Sequence, residues 1–255
     1  MHRTLSRWLA AGFAALTLSA VTCDMAVNRS TSHPAAAAGK VRGPILDSAI
    51  NDVHRPVLAV LGASISYGTG AGSPAQAWPA VLASALGWRA VVSADPGAGF
   101  VAGGAHSLGP LARLLPKLDL PHLHPALVII QSGHNDVGQP ETRLRAGVET
   151  LIRQIRTESP DSMVAVLTVF PTGDHPAQAV WDTDSVIVSA ARAADPHTFV
   201  FDPLVSKWHF PRLADGLHPT DAGHRWIAGQ LASGLRADGL LHDPAAVPAV
   251  RTAHS

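Results

Sequence analysis

The sequence predicts an α/β protein in which a parallel β-sheet is covered by helices on both faces. Short, continuously apolar segments alternate with amphipathic segments of helical length along most of the chain. Strands that are apolar without interruption are typical of sheets buried on both faces, and their alternation with helices indicates parallel connections. A chain of 255 residues, 47% of them hydrophobic, is long enough for one such domain with terminal extensions.

Five short apolar segments are predicted as the strands of this sheet. Each is followed by glycine, proline or small polar residues, which are typical of the loops that end strands. The segment 126–131 has the most continuous apolar character and is therefore predicted as a central, buried strand. In chain order, the predicted strands are 57–61, 90–92, 126–131, 163–169 and 198–201.

Four longer segments carry apolar residues at helical spacing and are predicted as helices. Thr220 is suited to cap the last of them, because its hydroxyl can accept a backbone N–H of the first turn. The region 108–120 could hold a further helix, which Pro110 and Pro116 would limit. The four predicted helices are 76–86, 141–158, 183–194 and 220–235.

The N-terminal residues have the pattern of an export signal. His2, Arg3 and Arg7 precede an apolar run, 8–21, that is too short to span a bilayer. We therefore predict a signal peptide over 1–22. Alanine, proline and polar residues without periodicity predict a linker over 23–55 and a flexible tail over 237–255, which leaves 56–236 as the main folded domain.

Cys23, the single cysteine of the sequence, directly follows the apolar run of the predicted signal. This is where a bacterial lipoprotein signal places its lipidated cysteine. The preceding residues fit that signal poorly, because Thr22 stands where glycine or alanine is usual. Two export forms remain open. The sequence favours simple secretion, and the alternative is membrane association through a lipid on Cys23.

The formal net charge of zero argues against a nucleic-acid partner, because phosphate binding needs a basic surface. The sequence has 14 histidines, but none combines ligand spacing with a carboxylate on a regular element. His122, His124 and His209 are the candidates for metal ligands, and they fail on this basis. We predict neither a metal site nor a cofactor.

Three polar motifs follow predicted strands or precede the last helix. Ser64 lies in L-G-A-S-I-S-Y-G directly after the first strand, and Asn135 lies in S-G-H-N-D directly after the third. Asp215 and His218 lie in D-G-L-H-P, where their spacing lets a carboxylate hold Nδ1 of the imidazole and leaves Nε2 free to accept a serine proton. Each motif alone is also compatible with a simple turn or helix cap.

The glycine-rich loop A-D-P-G-A-G-F-V-A, residues 94–102, literally matches the dinucleotide-binding pattern G-x-G-x-x-A. That pattern should open a helix, whereas Gly103 and Gly104 follow here at once, and no acidic residue stands at the spacing that a ribose would need. We reject the dinucleotide interpretation. The elbow motif G-x-S-x-G of α/β-hydrolases is absent, which disfavours that fold.

Taken together and in this order, the four motifs resemble the sequence blocks of the SGNH hydrolases, also called GDSL esterases. The resemblance covers roughly 56–236. Of the pattern G-D-S-[IL]-[ST]-x-G, only the aspartate is replaced, by Ala63. The resemblance implies a flavodoxin-like, three-layer α/β/α sandwich around a five-stranded parallel sheet, and catalysis without a cofactor.

The resemblance also implies roles for individual residues. Ser64 would be the nucleophile, His218 the general base and Asp215 its orienting partner. The oxyanion would be bound by the N–H groups of Ser64 and Gly97, with Gly99 as the alternative, and by the side-chain amide of Asn135. His134 and His224 are assigned no catalytic role.

The implied function is that of a secreted or surface serine esterase, which hydrolyses an ester of a lipid or an acylated glycan. Two alternatives remain open at this point. One is an acyltransferase that forms the same acyl-enzyme, and the other is a non-catalytic envelope-binding domain on the same scaffold. We expect a monomer whose partner is the ester substrate.

Overall fold

A computed structural model describes residues 55–173 and 175–240. The predicted signal peptide, Cys23 and most of the predicted linker and tail lie outside the described residues. Within the described ranges, no helix is both long and apolar enough to cross a membrane. The strands are β1 (Val57–Gly62), β2 (Arg89–Ala94), β3 (Leu127–Gln131), β4 (Met163–Leu167) and β5 (Phe199–Phe201).

Seven α-helices connect or flank these strands in the described part of the chain. Short 3-10 helices lie at Pro74–Gln76, Leu115–Leu118 and His134–Asp136. The α-helices are α1 (Ser64–Tyr67), α2 (Trp78–Leu86), α3 (Leu111–Leu114), α4 (Leu120–Leu123), α5 (Glu141–Glu158), α6 (Gln178–Ala194) and α7 (Asp221–Ala237).

The five strands form one parallel sheet with the order β2-β1-β3-β4-β5. The carboxyl ends of all strands therefore lie at one edge of the sheet. The chain passes from β1 to β2 on one side and then returns to place β3 on the other side of β1, so the strand order reverses between β1 and β3. In open parallel sheets, such a switch point opens the crevice in which ligands bind.

Both faces of the sheet are buried against helices, which confirms the predicted three-layer α/β/α sandwich. Along β1, Leu58 and Val60 face one core and Ala59 and Leu61 face the other, because side chains alternate across a strand. The first core is completed by apolar residues of α2 and α7, and the second by those of α5 and α6.

Most predicted elements are found close to their predicted bounds. Helix α5 has the predicted ends, whereas α6 begins five residues earlier than predicted, at Gln178. The region 108–120 is divided into short helical turns because prolines interrupt it, as at Pro116. The four-residue helix α1 was not predicted; it ends at Gly68, which adopts the left-handed conformation.

Candidate active site

Ser64 is the first residue of α1 and lies two residues beyond the end of β1. Its Oγ is 2.9 Å from Nε2 of His218, although the two residues are 154 positions apart in the sequence. As the first residue of a helix, Ser64 has a backbone N–H without an intrahelical acceptor. The nearby Ser66 is different, because its hydroxyl is buried and donates to Oε1 of Gln131 at 2.8 Å.

His218 connects Ser64 to Asp215. Its Nδ1 lies 2.7 Å from Oδ2 of Asp215, while Oδ1 of the same carboxylate accepts the backbone N–H groups of Leu217 and His218, both at 2.9 Å. The hydrogen bond from His218, with those two N–H groups, lowers the pKa of Asp215 to about 2. The carboxylate is therefore ionised at neutral pH and holds the proton of the imidazole on Nδ1, which leaves Nε2 as an acceptor.

The helix that follows His218 also binds the segment that follows Ser64. Oδ1 of Asp221 accepts the N–H of Gly72 at 2.7 Å, and Oδ2 accepts the side-chain amide of Gln76 at 3.2 Å. Through these bonds, the first turn of α7 is tied to the segment between α1 and α2. The sequence does not single out Asp221, because an aspartate at a helix start is common and the groups that donate to it are remote in the chain.

His224, also in α7, makes a second contact with the segment between α1 and α2 and is completely buried. Its Nδ1 accepts the backbone N–H of Trp78 at 3.3 Å, so its Nε2 carries the proton and donates to the carbonyl of Thr69 at 3.2 Å. Burial lowers the pKa of His224, which favours the neutral ring that this pattern requires. His224 thus makes no bond to Ser64 or His218, but it fixes the loop that connects α1 to α2.

Gly97 and Gly99 are the two candidate donors to the oxyanion. Only one of their backbone N–H groups is already hydrogen-bonded. The N–H of Gly99 donates to the carbonyl of Ala102 at 2.9 Å within the turn of the loop. The N–H of Gly97 makes no hydrogen bond within the described residues. Gly97 also has a φ of 78°, in the left-handed region where a side chain would be strained. The geometry favours Gly97 as the free donor.

Asn135 and the glycine-rich loop are directly connected. Nδ2 of Asn135 donates to the carbonyl of Ala98 at 2.9 Å, and the hydroxyl of Ser132 donates to the same carbonyl at 3.2 Å. A side-chain amide has two N–H groups, so one remains for a further acceptor. The bond to Ala98 fixes the orientation of the amide beside the loop that carries Gly97.

Asp136, for which the sequence analysis found no role, has no solvent exposure and holds the glycine-rich loop in place. Its carboxylate accepts three successive backbone N–H groups, those of Phe100 at 2.8 Å, Val101 at 2.9 Å and Ala102 at 3.0 Å. Burial raises the pKa of Asp136, and these three hydrogen bonds oppose that rise. Backbone donors carry no sequence signature, so this function could not be inferred from residue types.

Gly133 allows the loop after β3 to turn toward Ser64. Its φ is 118°, and a Cβ at this position would lie 2.6 Å from Cδ1 of Ile187 and 2.7 Å from Cγ2 of Val169. A side chain is excluded on both grounds. The next residue, His134, is half-buried, and its pKa is lowered by burial and by the charge of His218.

A second histidine–aspartate contact lies at the same edge of the sheet. Asp95, which follows β2, is fully buried and its carboxylate contacts Nδ1 of His106, whose side chain is exposed. The N–H of Asp95 donates to the carbonyl of Gly62 at 3.1 Å, which joins the glycine-rich loop to the end of β1. Asp95 and Asp136 therefore hold opposite ends of this loop. No group of three or more potential metal ligands occurs among the described residues.

The geometry described above is that of a serine hydrolase, with a hydrogen-bonded serine, histidine and aspartate at the switch point of a parallel sheet. A model of the GDSL-like lipase/acylhydrolase family matches residues 60–226. The chain belongs to this family, and the protein is a serine hydrolase that acts on esters. The predicted family and fold class are thereby confirmed.

Among characterised relatives, the chain is similar to GDSL lipase Rv0518 of Mycobacterium tuberculosis, with 32% identity over 203 residues, which cover 73% of this chain and 82% of that protein. It is also similar to platelet-activating factor acetylhydrolase IB subunit alpha1 of Homo sapiens. That match has 27% identity over 117 residues and covers 45% of this chain and 50% of the relative.

Several solved structures share the fold at low sequence identity. A family two carbohydrate esterase from Clostridium thermocellum aligns with a TM-score of 0.57 and 20% identity, covering 73% of this chain and 65% of that one. The salicylyl-acyltransferase SsfX3 from a tetracycline biosynthetic pathway aligns with a TM-score of 0.58 and 21% identity, covering 73% of this chain and 56% of that one. This chain spans less than two thirds of either protein. At these identities, the likeness concerns the fold alone.

Proposed function

We propose that the protein hydrolyses a carboxylic ester through an acyl-enzyme formed on Ser64, with His218 and Asp215 completing a catalytic triad. The observation that carries the proposal is the continuous hydrogen-bonded series from Ser64 Oγ through both ring nitrogens of His218 to Asp215, at 2.9 and 2.7 Å. Both distances are within the reach that proton transfer to a general base requires.

In the first half of the reaction, Nε2 of His218 takes the hydroxyl proton of Ser64 as Oγ attacks the carbonyl carbon of the ester. The resulting imidazolium then gives this proton to the leaving alcohol as the carbon–oxygen bond breaks. In the second half, His218 takes a proton from water as the water attacks the acyl carbon, and it returns this proton to Oγ of Ser64 as the carbon–Oγ bond breaks and the acid is released. Asp215 stays ionised throughout and stabilises the imidazolium.

Three donors would receive the negative oxygen of the tetrahedral intermediates, namely the N–H groups of Ser64 and Gly97 and the amide of Asn135. Support for Gly97 comes from its unused N–H, and support for Asn135 comes from the second N–H of an amide already fixed by Ala98. These groups are held before substrate binds, which is how such donors lower a barrier without reorganising.

The triad is tested by replacing Ser64 and, as a matched control, Ser66, two positions away. We expect Ser64→Ala to abolish hydrolysis of p-nitrophenyl esters and labelling by a fluorophosphonate, because no other described hydroxyl contacts His218. Ser66→Ala removes only a bond to Gln131 and should keep the label. A fluorophosphonate adduct mapped to Ser66 or Ser132 would refute the assignment.

The role of His218 is tested by the pH dependence of kcat/KM. The imidazole must be neutral to accept the proton of Ser64, so kcat/KM should be lost at acid pH, where a protonated ring cannot act as a base. Steady-state rates on p-nitrophenyl acetate between pH 5 and 9 measure this. A profile that is flat over the whole range would exclude a histidine base.

We further propose that the protein acts outside the cytoplasm on an ester of an envelope lipid or an acylated glycan. The support is the charged and apolar pattern of residues 1–22. Expression in a bacterial host that processes export signals should give a product outside the cytoplasm without these residues. Membrane association that is lost in Cys23→Ala would establish a lipid anchor, whereas unprocessed protein in the cytosol would refute export.

A further inference from the structure

A cavity of about 290 Å³ lies at the C-terminal edge of the sheet, beyond the ends of β4 and β5. We propose that this cavity, the Trp181 pocket, binds one pyranose ring of an acylated glycan substrate; the inference rests on the proposed esterase function. Its apolar lining is formed by Pro171, Pro176, Trp181, Leu204 and Trp208, and its polar lining by Lys207, His209 and Arg212.

One wall of the pocket is a rigid aromatic side chain. Trp208 is almost fully buried and packs edge-on against Phe170 and Trp226, with ring centroids 6.0 and 5.5 Å apart. Its backbone N–H donates to the carbonyl of Pro203 at 2.8 Å. A ring held in this way loses little freedom when a ligand binds, which favours binding.

The turn before Trp208 is strained at the pocket. Lys207 has a φ of 51°, in the left-handed region that non-glycine residues rarely adopt. Strain of this kind concentrates at functional sites, where the surrounding structure maintains it. Here it is maintained by the bond from the Lys207 N–H to Leu204 and by the Asp202 carboxylate, which accepts the N–H of Val205. The turn presents Lys207 and Trp208 to the same cavity.

Trp181, in the first turns of α6, also lines the pocket and has 37% of its surface exposed. Indole surfaces bordered by polar groups suit a flat ring with apolar faces and polar edges. The volume lies at the lower limit for small-molecule sites, which begin near 300 Å³. It therefore fits one ring and excludes a longer oligosaccharide, whose other units must lie along the surface.

The position of the pocket relative to Ser64 follows from the strand order. Ser64 follows β1, and the pocket follows β4 and β5, which are two and three strands away. At about 4.8 Å per strand, the separation along the edge is roughly 10–14 Å. The segment that ends the pocket is bonded to the segment that carries His218, because Leu213, next to Arg212, donates its N–H to the carbonyl of His218 at 2.8 Å. A substrate that extends along this edge can occupy both.

The polar lining distinguishes a sugar from an acyl chain. Lys207 and His209 are exposed at the pocket, and a hydrocarbon acyl chain offers their polar groups no hydrogen bond. Sugar hydroxyls can accept from both side chains while the ring contacts the two indoles. Arg212 is held against the ring of Phe210, 4.3 Å from its centroid, and shapes the rim of the pocket. We therefore assign the pocket to the alcohol part of the ester.

Binding is tested without catalysis on Ser64→Ala protein, by NMR of the tryptophan indole N–H groups during titration with methyl glucoside. The signals of Trp181 and Trp208 should shift, and that of Trp88, before β2 at the other edge of the sheet, should not. An absence of shifts at both pocket indoles would overturn the inference and leave the esterase proposal intact. Retained esterase activity in Ser64→Ala would instead refute the proposed function and leave the binding result standing.

A kinetic comparison ties the pocket to the reaction. Trp181→Ala should raise KM for an acetylated trisaccharide roughly tenfold, with p-nitrophenyl acetate unaffected, because the small ester cannot reach the pocket. Trp181→Phe should recover most of the loss. Lys207→Gln should also raise KM for the trisaccharide, whereas Lys117→Gln, on an exposed lysine remote from the pocket, should not. Equal effects on both esters, or an effect that grows with acyl-chain length, would overturn the assignment to a sugar.

Discussion

Asp136 and Asp215 both hold a loop of the active site by accepting backbone N–H groups, but they do so in opposite environments. Asp136 has no exposed surface and binds N–H groups that lie 34 to 36 positions earlier in the chain. Asp215 has 47% of its side chain exposed and binds N–H groups two and three positions later. The glycine-rich loop, on the proposed oxyanion side of the site, therefore depends on tertiary packing. The loop of His218, on the proposed base side, depends on local chain geometry.

Because of this difference, substitutions on the two sides of the site should affect folding and catalysis differently. Removing a buried acceptor leaves its donors unpaired in a dry environment, whereas an exposed acceptor can be replaced by water. We thus expect changes on the oxyanion side to lower stability, activity or both, and changes at Asp215 to lower activity with little effect on the fold.

The largest effect is expected for Asp136→Ala, which leaves the N–H groups of Phe100, Val101 and Ala102 without their acceptor. The free energy of unfolding should fall by about 3–5 kcal/mol, and the remaining folded protein should have low kcat. Urea unfolding and esterase rates measure the two effects. Asp182→Ala is the control, because this exposed carboxylate accepts only the side-chain amide of Gln178, one turn away on the same helix, and its loss should change neither quantity. Wild-type stability of Asp136→Ala would show that the glycine-rich loop is held by other contacts.

Asn135→Ala should affect catalysis without comparable loss of stability. A single oxyanion donor is worth ~10²–10³ in kcat, or about 3–4 kcal/mol of barrier, and KM should change little because the charge exists only after Ser64 has attacked. Ser132→Ala is a matched control, since it also removes a hydrogen bond to Ala98 but supplies no oxyanion donor. If both variants lost kcat equally, the amide would act only by fixing the loop, and Ser64 and Gly97 would bind the oxyanion alone.

Asp215→Asn should lower kcat by roughly tenfold to a hundredfold, less than the ~10⁴-fold loss known for a buried triad aspartate. The reason is that solvent reaches this carboxylate and can partly replace it beside Nδ1 of His218. The melting temperature should remain close to that of the wild type. A large drop in melting temperature would contradict the contrast with Asp136.

The smallest effect is expected on the pH dependence of folding stability. The contributions of Asp136 and Asp215 to stability should change in opposite directions as the pH falls. The pKa of Asp215 is lowered to about 2, so its contribution to stability is present above the unfolded-state value and is lost as pH falls toward 2. Burial raises the pKa of Asp136, so the proton-linked part of its contribution to stability is largest below the unfolded-state pKa and is lost as pH rises through the folded-state pKa, while its hydrogen bonds to the loop remain. Carboxyl carbon shifts followed by NMR should show Asp215 titrating last, and an ordinary midpoint for Asp215 would refute its pairing with His218.

The fold was predictable because its determinants are local and repetitive. Continuous apolar runs such as Leu127–Gln131, and helical spacing over Glu141–Glu158, indicate their elements without knowledge of any partner. The pair Asp215 and His218 was predictable for the same reason, since a spacing of three residues lets one loop form the contact. The helix of four residues at Ser64 was missed, because so short a segment has no periodicity to detect.

The sequence by itself therefore determined the fold class, the family and the set of residues brought to one edge of the sheet. Only the tertiary structure decided how they are held. Position in the sequence already favours Gly97 over Gly99 for the oxyanion, and the structure adds that the N–H of Gly99 is bonded within its turn. The roles of Asp136 and His224 depend on backbone groups that are remote in the chain. Backbone N–H and C=O groups are the same at every non-proline position, so no pattern of residue types can reveal which of them a buried carboxylate or imidazole will bind.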